Sequence, residues 1–173
     1  MQRRDFVRVT LSAGVVLAGA PSVLHALDAP VKMTVYKTPD CGCCKDWITY
    51  MKGQGFTVAP VDMNDLTEIK RSSGVPAKLE SCHTALVGGY VIEGHVPADL
   101  VKRILAEKPK ITGLAVPGMP VDAPGMGTGK TPYDVIAWDT AGKTSMFASC
   151  ERMSSVPPVG PSTGVKVPTE PAE

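Results

Sequence analysis

The sequence predicts one main α/β domain. Segments with strand and helix patterns alternate along the chain in the order β-α-β-α-β-β-α. The composition of the 173 residues, 43% hydrophobic and 20% charged, is that of an ordinary globular protein. A cluster of cysteines lies in the turn between the first strand and the first helix. This order is the layout of a thioredoxin-like sheet with flanking helices, although periodicity alone leaves other α/β folds open.

Alternation and helical spacing define the first half of the domain. Its predicted elements are a strand at Val31–Tyr36, a helix of roughly ten residues from the cysteines onward, a strand at Phe56–Val61 and a short helix capped by Asn64–Asp65 and reaching about Arg71. In the longer helix, Cys44, Ile48 and Met51 fall on one face with Trp47 beside them. We expect that face to be buried against the sheet.

The second half contains two predicted hairpins. The elements are a hairpin of Thr84–Val87 and Tyr90–Glu93 around Gly88-Gly89, a helix from Pro97 to about Glu107, Gly- and Pro-rich loops beyond Pro109, and a hairpin of Tyr133–Trp138 and Thr144–Ala148. We expect this C-terminal β-hairpin extension to add to the sheet or to cover its edge.

The N-terminal segment has the features of a secretory signal. Arg3 and Arg4 precede a short apolar stretch, and a possible cleavage site follows Ala26. The arginine pair resembles a twin-arginine export signal. We therefore predict a signal peptide at residues 1–26, a thioredoxin-like metal-binding domain at 27–150 and a disordered tail at 151–173. The mature protein is expected in the periplasm, where unpaired thiols tend to become oxidised or to bind metal.

Charge and hydropathy exclude two classes of partner. The formal net charge of +1 gives no field that would collect nucleic acid. The apolar run of the signal is shorter than the roughly 18 to 20 residues that cross a bilayer. We therefore expect neither nucleic-acid binding nor stable membrane insertion.

The chemistry is predicted to lie in the segment Cys41-Gly42-Cys43-Cys44. Cys41 and Cys44 form a Cys-x-x-Cys frame, and Cys43 adds a thiol between them. The free N–H groups and the dipole at a helix N-terminus stabilise a thiolate, which can act as a nucleophile or a metal ligand. A buried structural disulfide is the alternative, but it would leave one of these three thiols unpaired.

A fourth cysteine is predicted to join this cluster. Cys82 and His83 directly precede the strand Thr84–Val87, and in a thioredoxin-like fold that junction faces the Cys-x-x-Cys turn. Thioredoxin-type enzymes usually have a proline there, whereas Pro76 lies six residues too early. The substitution favours a metal site made by the four cysteines.

Two histidines are further candidate ligands. His83 is adjacent to Cys82, and His95 precedes the helix that starts at Pro97. Each also has an ordinary interpretation, as a polar residue at a strand start and as a histidine at a helix entry.

Two methionines complete the candidate set. Met119 and Met126 lie in Pro-Gly loops where no pattern buries them, in contrast to Met51 and Met146. Thioethers are soft ligands that suit Cu(I), while packing is the alternative role. Cys150 is expected to be the odd thiol of the five, or a late partner of the cluster.

Four segments together resemble a known family. They are Tyr36–Cys44, Ser81–Thr84, Glu93–Pro97 and Gly113–Pro120. They resemble the small exported metal-binding proteins, long described as a domain of unknown function, that are typified by the copper-resistance protein CopG. The resemblance extends over about residues 31 to 137 and implies a thioredoxin-like fold that binds copper through the cysteines. One departure, at Asp122–Gly127, concerns the second methionine loop.

Three functions fit these observations. The first is a copper-binding protein that sequesters copper or changes its oxidation state, with Cu(I) favoured and other periplasmic copper-handling proteins as partners. The second is a thiol–disulfide oxidoreductase in which Cys41 attacks and Cys44 resolves the mixed disulfide. The third is a zinc site with four thiolates, or with three thiolates and one imidazole. We favour the first, with no enzymatic activity beyond a copper or thiol redox step.

Overall fold

The computed structural model of the protein describes residues 30–127 and 131–150. The signal peptide and the tail predicted at 1–26 and 151–173 lie outside these residues. The elements in chain order are β1 (Val31–Lys37), α1 (Gly42–Gly53), β2 (Phe56–Asp62), α2 (Thr67–Ser72), a 3-10 turn (Ala77–Leu79), β3 (His83–Val87), β4 (Tyr90–Glu93), α3 (Ala98–Glu107), β5 (Gly113–Ala115), β6 (Tyr133–Trp138) and β7 (Thr144–Cys150).

Seven strands of the described residues form one sheet, in the order β2-β1-β3-β4-β5-β6-β7. The pairs β1–β2 and β4–β5 are parallel, and the other four pairs are antiparallel. Each parallel pair needs a crossover, which α1 and α3 supply. The predicted α/β class is therefore confirmed as a mixed sheet with a few helices.

The main core lies between the sheet and the two longer helices. The predicted apolar face of α1 is confirmed, since four of its residues are buried: Cys44, Trp47, Ile48 and Met51. From α3, Leu100, Val101 and Ile104 enter the same core. Burial of each large apolar side chain contributes about 1.5–3 kcal/mol. This packing fixes α1 on the sheet and so fixes the helix N-terminus that carries the cysteines.

A short central strand, β5, was not predicted from the sequence. Gly113–Ala115 was expected to be loop, but it lies parallel to β4 and antiparallel to β6. A Cβ at Gly113 would lie 2.1 Å from the carbonyl oxygen of Val91, so a glycine is needed for this close approach. Through β5 the C-terminal hairpin extends the sheet, which was one of the two expected arrangements.

Two helices begin one or two residues later than predicted. Pro97 is the N-cap of α3, with an extended backbone, and not its first helical residue. Leu66 is the N-cap of α2, and the Asp65 carboxylate accepts the N–H of Thr67 at 2.8 Å. The expected residues therefore still lie at the helix starts, but outside the helical turns.

One expectation about packing is wrong. Met146 was expected to be a core residue, yet the residue is 65% exposed because β7 lies at the edge of the sheet. In the described part of the chain, no helix has the length and apolar character needed to cross a membrane.

Candidate metal centre

The register between β1 and β3 brings two loops to the same end of the sheet. Lys37, the last residue of β1, pairs with His83, the first residue of β3. The chain leaves β1 towards Cys41 and enters β3 from Cys82, so these two segments are neighbours. Because a slip of one residue would turn His83 to the other face, the site depends on this register.

The first loop ends in the N-terminus of α1. Cys41 is the N-cap, and its sulfur accepts the N–H of Cys44 at 3.3 Å. These two cysteines form a disulfide with a Cα–Cα distance of 5.3 Å. The sulfur of Cys43 is a free thiol 3.6 Å from the Cys41 sulfur. The turn thus holds an oxidised pair with a reduced thiol beside it.

The second loop adds a fourth sulfur. The sulfurs of Cys41, Cys43, Cys44 and Cys82 all lie within 4.8 Å of one another. The carbonyl oxygen of Cys82 is 3.6 Å from the sulfur of Cys44. The expected convergence of the two loops is therefore present, while the role of the four sulfurs as metal ligands stays a prediction.

Two buried imidazoles lie next to the sulfur of Cys82. Its sulfur is 3.3 Å from Nδ1 of His83 and 3.1 Å from Nε2 of His95, and the three ligand atoms lie within 4.8 Å of one another. The His83 ring packs against the Trp47 ring, with centroids 4.5 Å apart. Among the residues that the structure describes, Nε2 of His83 is buried without a hydrogen-bond partner.

The tautomer of His95 follows from its second contact. Nδ1 of His95 lies 2.7 Å from the carbonyl oxygen of Pro124. Because a carbonyl oxygen can only accept, Nδ1 carries the proton in this contact and Nε2 of the neutral ring presents its lone pair to Cys82. A histidine held through one nitrogen with the other free is the usual state of a metal-binding imidazole.

Burial keeps these groups uncharged in the absence of a metal. It lowers the pKa of His83 well below its ordinary value and also lowers the pKa of His95. It raises the pKa of the Cys82 thiol to about 12, and the electrostatic interaction with the neighbouring Cys43 acts in the same direction. A bound cation would reverse the effect on the thiol, since metal binding displaces its proton.

The Pro-Gly loop that contains Met119 lies against the segment that contains Cys82. The hydroxyl of Ser81 donates to the carbonyl oxygen of Gly118 at 2.7 Å. The next residue, Met119, is 57% exposed. Met119 therefore directly follows a residue that is hydrogen-bonded to the neighbour of Cys82, and it is exposed at the surface, while its ligation of metal stays a prediction.

The Pro-Gly loop that contains Met126 packs on α1. Gly125 has a φ of +82°, and a Cβ there would lie 2.6 Å from the backbone nitrogen of Trp47. Pro124 binds His95 through its carbonyl oxygen, while Met126 packs against the hydrophobic core. The packing role that was the alternative for Met126 is thus present, and ligation by its sulfur is untested.

Two residues behind the site are not predicted from the sequence. Glu93 and Lys70 are buried and in contact, and Glu93 also accepts the backbone N–H of Ser81 at 2.6 Å. The available signal was a carboxylate at the end of an apolar strand, next to a histidine candidate. A single sequence does not say which cation lies opposite such a carboxylate.

Cys150 lies apart from the site. It ends β7, where it pairs with Tyr133 across the sheet. Within the described residues, the two groups of neighbouring cysteines and histidines do not include it. Its expected position as the odd thiol agrees with this placement.

Comparison with known proteins gives two solved structures with the same fold. Both are described as copper resistance protein CopG. The first has a TM-score of 0.67 and 38% identity, and the match covers 71% of this chain and 99% of that one. The second has a TM-score of 0.66 and 38% identity, with 70% of this chain and 98% of that one covered. A family model described as a protein of unknown function, DUF411, matches residues 79–126. No curated protein matches the chain.

Proposed function

The chain belongs to the CopG-like DUF411 family, and from this premise we propose that it is a periplasmic copper-binding protein that acts in copper resistance or homeostasis. Copper is its cargo, held as Cu(I) by the cysteine cluster. The observation that carries the proposal is the convergence of four cysteine sulfurs from two loops within 4.8 Å. Such a density of soft sulfur ligands suits Cu(I).

The topology of the first four strands supports the thioredoxin-like assignment. Their order in the sheet is β2-β1-β3-β4, with β1 parallel to β2 and antiparallel to β3. This is the β-α-β followed by β-β-α arrangement on which the expectation was based. The strands β5 to β7 are then the extension of that unit.

The imidazole and thioether groups near the cysteines also suit copper. His83 and His95 are buried, and each has a ring nitrogen near the sulfur of Cys82. Imidazole and thiolate are both accepted by copper, while Met119 and Met126 would add thioethers from the two flanking loops. Two electrons and two protons convert the Cys41–Cys44 disulfide into two thiols, so the full ligand set belongs to the reduced protein.

A second function is favoured by the disulfide itself. Cys41 is half-buried and Cys44 is fully buried, as expected for an attacking and a resolving thiol. In the reduced protein, the Cys41 thiolate would attack a substrate disulfide, form a mixed disulfide and release one substrate thiol. Cys44 would then attack Cys41, re-form the internal disulfide and release the second substrate thiol.

Elemental analysis of the protein isolated from the periplasm tests the proposal. We expect copper in excess over zinc in the wild-type protein and a loss of copper in Cys82→Ser. Cys150→Ser is the matched control, because it removes a thiol outside the cluster. Zinc as the bound metal would favour the structural zinc site instead.

A reductase assay separates the second function from the first. Reduction of insulin disulfides is followed with and without a copper chelator. A true oxidoreductase works without metal, so robust insulin reduction in the presence of the chelator would favour the enzymatic function. For a copper-binding protein we expect turnover near the uncatalysed rate.

A further inference from the structure

A buried carboxylate lies behind the loop that carries Cys82. Glu93, the last residue of β4, is completely buried. Its Oε1 accepts the backbone N–H of Ser81 at 2.6 Å and contacts the ammonium of Lys70. Its Oε2 accepts the hydroxyl of Thr84 at 2.7 Å. Both oxygens of the carboxylate are therefore occupied by donors from other segments.

The partner cation comes from a different element. Lys70 belongs to α2 and is buried, and its Nζ also donates to the Thr84 hydroxyl at 3.1 Å. Burial raises the pKa of Glu93, whereas the contact with Lys70 opposes that rise. The pair thus joins α2 to the adjacent strands β3 and β4.

Two of the three donors that Glu93 binds lie on either side of the metal candidates. Ser81 precedes Cys82, and Thr84 follows His83. The backbone between them is also held by the N–H of Gly94, which donates to the carbonyl oxygen of His83 at 3.0 Å. One carboxylate therefore holds both ends of a four-residue segment without itself contacting the Cys82 side chain through a hydrogen bond.

Stability alone is a weak reason for such a pair. The desolvation of two buried charges offsets much of their attraction, and apolar residues of similar volume often stabilise a core equally well. At this position, however, an apolar side chain would leave the Ser81 N–H without its acceptor. That loss would act on the backbone next to Cys82.

We propose that Glu93, held in place by Lys70, is the residue that positions Cys82 between the cysteines of α1 and the two imidazoles. It accepts the backbone N–H of Ser81 before Cys82 and the side-chain hydroxyl of Thr84 after it, so the sulfur stays within reach of both groups. The inference rests on the proposed function, because copper affinity is the property that this positioning serves.

Two double variants test the role of the carboxylate. Lys70→Met with Glu93→Gln and Lys70→Met with Glu93→Leu both remove the buried charges. Only the glutamine retains an oxygen that can accept the Ser81 N–H. Comparison of the two therefore isolates the hydrogen bond from the ion pair. Glu68→Gln is the matched surface control, since Glu68 forms an exposed ion pair with Arg71 on the same helix.

Two properties are measured in each variant. Cu(I) affinity is obtained by competition with a chelator of known affinity, and hydrogen exchange of the Ser81 amide is measured in metal-free protein. We expect the leucine variant to bind Cu(I) about tenfold more weakly than the glutamine variant, a loss typical of residues that support metal ligands. We expect its Ser81 amide also to exchange at least about tenfold faster.

Several outcomes would overturn the inference. Equal Cu(I) affinity and equal amide exchange in the two double variants would show that Glu93 only fills space. Failure of the wild-type protein to bind Cu(I) would refute the proposed function, while the exchange data would still decide the positioning. If a double variant does not fold, Thr84→Val replaces it, because this change removes one contact of Glu93 at nearly constant volume. Thr84→Val should then weaken Cu(I) binding, and unchanged binding would contradict the proposal.

Discussion

The sulfur of Cys82 lies 3.1 Å from Nε2 of His95, which follows it by 13 residues. The same sulfur is within 4.8 Å of the three sulfurs at the start of α1. Cys82 is therefore common to the thiol group and the imidazole group. A change at this residue should affect both groups at once.

Cys82→Ser should weaken copper binding strongly and leave the fold intact. Loss of a ligand should cost more than the roughly 10- to 100-fold that is typical of loss of a supporting residue. Cys82 is half-buried in a loop, so the free energy of unfolding should change by less than about 1 kcal/mol. Chelator competition and urea unfolding check the two parts. Unchanged metal content would mean that the cysteines of α1 bind copper alone.

Cys43→Ala should lower the copper-to-protein ratio without preventing the Cys41–Cys44 disulfide. Cys43 is the free thiol of the turn, and a redox pair has no need of it. A thiolate can bridge two Cu(I) ions, so loss of Cys43 should reduce the number of ions bound. Elemental analysis gives the ratio. An unchanged ratio together with metal-independent reductase activity would favour the oxidoreductase function.

Gly125→Ala should destabilise the protein more than Gly118→Ala. Both glycines have positive φ, +82° and +69°, so each alanine takes on about 1–2 kcal/mol of backbone strain. A Cβ at Gly125 would also lie 2.6 Å from the backbone nitrogen of Trp47, whereas nothing lies within 4 Å at Gly118. We expect a further 1–3 kcal/mol, approximately, from this overpacking. Urea unfolding measures the difference, and equal losses would contradict the close packing of the loop.

Metal-free protein should lose stability as the pH falls below 6.5. Burial, followed by electrostatic interactions with His95 and Lys70, holds the pKa of His83 well below that value. The unfolded chain then binds a proton that the folded protein does not, so the free energy of unfolding decreases as the pH falls. The slope should approach about 1.4 kcal/mol per pH unit for this group. His95, whose pKa burial also lowers, contributes with the same sign.

Urea unfolding in the presence of a chelator isolates the contribution of His83 to this pH dependence, when wild-type protein is compared with His83→Gln. Glu93 has a raised pKa and acts with the opposite sign, but it is present in both proteins. The difference between them should therefore depend on pH because of His83. A difference that is constant between about pH 7 and 5 would contradict protonation of His83 on unfolding.

Much of the site could be predicted because its residues lie next to strong local patterns. Cys41 follows an alternating strand and a turn, and Cys82 directly precedes another strand. Their convergence then follows from how those two strands pair. Short-range patterns thus located the ligand candidates, and a known type of topology brought them together.

Other parts depend on packing that such patterns do not encode. β5 has three residues, too few to establish a period, and its Gly113 is explained by contacts with Val91. The contact of Lys70 with Glu93 links residues from α2 and β4, which is a tertiary relationship. Met146 has the same alternation as a core residue, but its strand is at an edge.

The pairing of Lys37 with His83 also determines when the ligand set becomes complete during folding. Cys44 and Cys82 are 38 residues apart in the chain. They approach each other only when β1 and β3 pair, and that pairing requires closure of the long chain segment between the two strands. In a nascent or unfolded chain, the three cysteines of the turn are neighbours in sequence, whereas Cys82 is not held near them. If the proposed Cu(I) binding is correct, tight binding requires a folded central sheet, and metal retention can then serve as a probe of whether the chain has reached its native state.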